Sequence, residues 1–120
     1  MQYMLMITND SEIHPQPGGP GWEDLMTGYY AFHQHLTSEG IKFSGEALMP
    51  AHTATTIRIR DQKTVTSDGP FTESKEWVSG YYIVDVSDLD EALALAAMIP
   101  SAKYGSVEVR PVMQMQPAAN

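Results

Sequence analysis

Two stretches of helical period are set into a chain whose other ordered segments alternate residue by residue, and their positions constrain the fold most. In 22–39 the residues Leu25, Tyr29, Phe32 and Leu36 recur at one stripe of a helix. Glu23 and Asp24 fall in its first turn, where the helix dipole favours acids, and Gly40 ends it. The second helix starts after a Ser87 cap, turns Leu89, Leu93, Ala96 and Ile99 to the core, and stops at Pro100. Strands are predicted at 2–8, 41–48, 53–60, 63–67, 77–86 and 106–115. Gly80 marks a bulge or a close backbone approach in the fifth. The order is β-α-β-hairpin-β-α-β. It predicts an α+β fold: a ferredoxin-like split βαβ plan with an extra hairpin, and an antiparallel sheet with two helices on one face.

The first strand raises a difficulty. Tyr3, Leu5 and Ile7 share one face, and Met4 and Met6 the other. A strand apolar on both faces must be covered on both. Helices cover one side, so a partner subunit is the simplest cover for the second. That side also receives Arg58, Arg110, Glu108 and Glu46. Two such sheets stacked about a twofold axis would enclose a polar cleft, in which an arginine can grip a carboxylate or phosphate at two points. The competing expectation is internal pairing of Glu108 with Arg110 or Arg58, and solvent or an arginine for Glu46. Methionines 4, 6, 113 and 115 read as flexible core filler rather than copper or haem ligands.

The densest chemistry lies in Ser67–Glu76. Gly69-Pro70 stiffens a turn that gathers Asp68, Phe71, Glu73 and Lys75. The turn is either purely structural, with Phe71 as a plug, or the seat of a site. Residues 9–21 form a long loop rich in Pro and Gly, in which His14 is the one imidazole. It reads as either a solvated histidine or a catalytic one. His33 and His35 are two apart on a helix and cannot share a metal. No metal or cofactor is expected.

Asp68-Gly69-Pro70-Phe71, followed by Thr72-Glu73-Ser74-Lys75-Glu76, resembles the signature of DGPF-domain proteins in the YCII-related family. The likeness extends through Gly45-Glu46-Ala47-Leu48, Ala54 to Arg58, Gly80-Tyr81-Tyr82, Asp88 to Ala92 and Tyr104 to Pro111, so it spans nearly the whole chain. It implies a ferredoxin-like unit that dimerises into an α/β barrel. The wider group is associated with a His and Asp pair in dehydrohalogenation or isomerisation of ring compounds, and no histidine here clearly holds that place. On this reading Asp68 is general acid or base, tuned by Lys75 or His14, and the cleft takes a small anionic or ring-containing molecule. The resemblance also implies an alternative. Such proteins are often encoded beside extracytoplasmic-type sigma factors, which suggests a non-catalytic accessory protein acting with one.

Composition narrows the rest. The 120 residues suit one domain. A net charge of −8 with seven scattered Lys and Arg argues against nucleic acid and anionic membranes as partners. No apolar run approaches a membrane span, no leader opens the chain, and no cysteine is present, which fits a reducing cytoplasm.

Overall fold

The computed structural model describes residues 1–70 and 74–115. The order is β1 (Gln2–Asp10), α1 (Trp22–Ser38), β2 (Phe43–Ala47), β3 (Thr55–Arg60), β4 (Lys63–Asp68), β5 (Glu76–Asp85), α2 (Leu89–Met98) and β6 (Gly105–Pro111). Four strands form one antiparallel sheet in the order β2-β5-β1-β6, while β3 and β4 form a sheet of their own. The result is α+β with two helices and antiparallel sheets, as expected, and it is consistent with a ferredoxin-like fold. Neither sheet closes on itself.

Alternation along β1 builds the core. Tyr3, Leu5, Ile7 and Asn9 are buried, and the residues between them are half-buried. The buried side meets Phe32 and Leu36 of α1, Ala92, Leu95 and Ala96 of α2, and Tyr82 and Val84 of β5. Beside Gly80 the register of β5 slips against Ile7 and Thr8, leaving Ser79 as the extra residue of a bulge. A Cβ at Gly80 would lie 2.8 Å from the Glu46 carbonyl, so the expected close approach is also present.

Three details correct the sequence reading. The cap of α2 is Asp88, one residue past Ser87: its Oδ1 accepts from the Glu91 N–H at 2.9 Å. Glu91 Oε2 reaches back to the Ser87 N–H at 2.9 Å, completing a reciprocal cap. The buried stripe of α2 is Ala92, Leu95, Ala96 and Ile99, whereas Leu89 and Leu93 are 46% and 47% exposed. Small alanines let the helix lie close to the sheet. Finally β6 ends at Pro111, so Met113 and Met115 lie beyond the last strand and are exposed.

The β3–β4 hairpin is an arm. Thr55 pairs with Asp68 at its base and Arg60 with Lys63 at its tip. The Gly69 N–H donates to the Ala54 carbonyl at 2.7 Å, which closes the base. At the tip, Asp61 and Gln62 both take left-handed backbone, φ 50° and 64°, the geometry of a two-residue hairpin turn. No arm residue is buried. The molecule measures 49 × 48 × 18 Å with a radius of gyration of 16.8 Å. A compact chain of this length would have about 14 Å.

Candidate functional site

Cross-strand register writes out the sheet face that the helices leave open. One row runs Ser44, Ile83, Met4, Arg110, and the next runs Glu46, Tyr81, Met6, Glu108. The middle of each row is apolar and half-buried, and the ends are polar and exposed. Met4, Met6, Glu108, Arg110, Pro111 and Val112 line a shallow depression of about 220 Å³. Its floor is thioether and its rim is charged. Arg110 Nη2 donates to Glu108 Oε2 at 2.6 Å, the internal pairing anticipated from their shared face. That bond uses one corner of a guanidinium that carries five donors. The remaining donors can meet a ligand carboxylate while Glu108 fixes the fork.

The other anticipated residues are spread out. Glu46 stands on the far edge of the face. Three strand spacings, about 14 Å, separate β2 from β6, so Glu46 and Arg110 do not meet in one subunit. Arg58 lies in the arm, with Nη1 3.5 Å from Ser67 Oγ. Asp68 is exposed at the arm's base. Lys75 Nζ is 3.7 Å from Glu12 Oε2, and its carbonyl accepts from the Ser11 N–H, so it belongs to the end of the sheet where β1 finishes. Arg110 sits opposite Met4, six residues or about 20 Å along β1 from that end. Phe71 and Glu73 lie outside the described residues. Among the described residues no group of His, Asp or Glu could hold a metal ion, and no helix is long and apolar enough to cross a membrane.

His14 is half-buried and engaged at both ring nitrogens. Its Nδ1 lies 2.9 Å from the Pro15 carbonyl, which can only accept, so Nδ1 carries the proton. In the neutral ring Nε2 then accepts from Ser101 Oγ–H at 3.1 Å. The Tyr29 hydroxyl in turn donates to Ser101 Oγ at 2.7 Å. Burial pushes the Tyr29 phenol above its ordinary value, and its bonds to Ser101 oppose that rise. A serine hydroxyl held by an imidazole is the pairing a nucleophile needs. Yet Ser101 is 1% exposed, so the cluster pins the 11–21 loop to the turn Pro100–Tyr104. The sequence reading missed Ser101 and the polar end of Tyr29. No local pattern could signal them, because their partners are 72 and 87 residues away.

A second polar contact crosses the core boundary. His33 Nε2 is 2.6 Å from the Tyr82 hydroxyl, amid edge-on packing with Phe32 and Phe43. Burial chiefly, with repulsion from ionised Tyr29 second, pushes the Tyr82 phenol well above its usual value. It is a fixed neutral donor or acceptor, not a proton carrier at neutral pH.

Comparison with known proteins adds two findings. The model of the YCII-related domain matches residues 1–116. The chain is also 32% identical over 119 residues to an uncharacterised protein of Rhizobium meliloti, covering 98% of this chain and 96% of that one.

Proposed function

This chain belongs to the YCII-related family, and from that premise we propose that it is a cytoplasmic homodimer whose stacked open faces bind a small anionic molecule with a ring-shaped or apolar body. Asp68-Gly69-Pro70 and the adjoining Phe71 support its membership of the DGPF group within that family. The observation that carries the functional reading is the depression over Met4 and Met6, rimmed by the Glu108–Arg110 pair. Thioethers adapt to an aromatic or alicyclic body. Arg110 supplies the two-point grip on a carboxylate. A dimer covers the half-buried row of Met4, Met6, Tyr81 and Ile83, with a gain of about 25 cal/mol for each Å² of apolar surface removed from water. Lys75 stands far from Arg110 along the sheet, and Asp68 lies in the arm, outside that sheet. A cleft that uses all three therefore draws Arg110 from one copy and Asp68 from its partner, with Asp68 as the acid or base. His14 stays on the helix-covered side as a loop anchor.

Isothermal titration with benzoate and with benzyl alcohol tests the reading. Benzoate binds and benzyl alcohol does not. Arg110→Gln lowers benzoate affinity by about tenfold or more, the value of a charge-assisted pair. Equal benzoate binding by the wild type and the variant, or none by the wild type, rejects the site.

A further inference from the structure

We infer that the β3–β4 arm is a clasp that docks on a second copy of this chain, seating its cations on that copy's acidic sheet end. The inference rests on the homodimer reading and goes beyond it, because a face-to-face dimer does not by itself require the arm.

An isolated two-stranded hairpin is marginally stable at best in water. This one presents Ile57 and Ile59, 65% and 67% exposed, on one face, and exposed Val65 on the other. Its tip holds two non-glycine residues in left-handed backbone. Such an arm is a component of a larger packed unit. The surface area gives the scale. The chain exposes 8735 Å². A compact protein of its 13.3 kDa mass exposes about 6,500 Å². The surplus, roughly 2,000 Å², is what one subunit of a large, stable dimer conceals.

Charge selects the occupant. The arm carries Arg58, Arg60 and Lys63, three of the chain's seven Lys and Arg, against only Asp61 and Asp68 of its fifteen acids. The rest of the chain is accordingly more acidic than the whole. One place on the open face is short of cations: Asp10 and Glu76 face each other across β1 and β5. Like charges directly opposite on a sheet repel. Nearby Lys75 is engaged with Glu12. A basic arm and an acidic sheet end on one chain make a self-complementary surface, and a twofold axis satisfies both contacts twice. The face of the arm that carries Arg58, Arg60 and Lys63 together with Val65 then lies on part of the partner's open face, and Arg60 and Lys63 at the tip reach Asp10 and Glu76. Neutralising these acids also removes the repulsion that stacking two acidic faces would cause.

The test measures dimer dissociation constants by sedimentation equilibrium, with far-UV circular dichroism to confirm folding. Four proteins are compared: the wild type, Arg60→Glu with Lys63→Glu, Glu76→Lys, and a variant with 55–68 replaced by two glycines. The last is feasible because Ala54 and Gly69 already meet. The wild type is a dimer that weakens as salt rises. The arm charge reversal and Glu76→Lys each weaken it by about tenfold or more at low salt, and the armless chain is a folded monomer. A wild type that is monomeric overturns both the clasp and the homodimer. A charge-reversed or armless variant that dimerises as tightly as the wild type overturns the clasp alone and leaves the stacked sheets standing. Should the armless chain fail to fold, the charge reversal, made at exposed positions, still decides.

Discussion

β1 and β3 are written in the same alternation, and the molecule treats them oppositely. Along β1 every second residue disappears beneath α1 and α2. Along β3, Ile57 and Ile59 hold the equivalent positions and remain in water. Period two therefore specifies two faces but not what lies against them. In the four-stranded sheet the covering layer is local, because α1 and α2 are each tied to a strand by a short segment. Among the described residues no such layer covers the arm. Its apolar residues Ile57, Ile59 and Val65 stay exposed.

That contrast can be broken by comparing stabilities in urea at concentrations low enough to hold the chain monomeric. Phe32→Ala attacks the covered side, where the ring is buried and packs edge-on to Tyr82 at 5.2 Å. It should cost about 3–5 kcal/mol. Tyr82→Phe comes next. It removes the hydroxyl held by His33 and should cost about 1 kcal/mol at neutral pH. It also has a pH signature. The folded phenol ionises above the unfolded one, so the stability it contributes is intact below about pH 10 and declines as pH climbs past that value. Melts at pH 9, 10 and 11 should fall steeply for the wild type and less for Tyr82→Phe. The smallest effect belongs to the arm: Ile57→Thr with Ile59→Thr should shift monomer stability by less than about 0.5 kcal/mol. A loss comparable to that of Phe32→Ala would show that the arm packs on its own subunit, and the contrast would collapse.

The elements were legible where one period dominated. The stripe of α1 stands out because Leu25, Tyr29, Phe32 and Leu36 recur at i, i+4, i+7 and i+11 with His33, Gln34 and His35 between the last two. In α2 every position from Ala92 to Ile99 is apolar, so several stripes fit: Ala96 and Ile99 are buried as expected, but Ala92 and Leu95 take the places expected of Leu89 and Leu93. Ala92 beside Ala96 lets the helix approach the sheet closely, since both side chains are small. The Glu108–Arg110 pair was legible, since residues two apart share a strand face. That Asp68 and Arg110 belong to different sheets was not, because it depends on strand order and on an arm that pairs only with itself. The Ser101 cluster joins three segments far apart in the chain, and only the folded molecule brings them together.

Strand order also bears on biosynthesis. β1 leaves the ribosome before either of its hydrogen-bonding neighbours, because β5 and β6 come from the second half of the chain. At about 5–20 residues per second, the nascent chain carries an unpaired strand with apolar side chains on both faces for several seconds. During that interval the unpaired strand Tyr3 to Ile7 is open to chaperones and to aggregation with its own copies. A premature stop before Gly105 would leave one edge of β1 bare in every product.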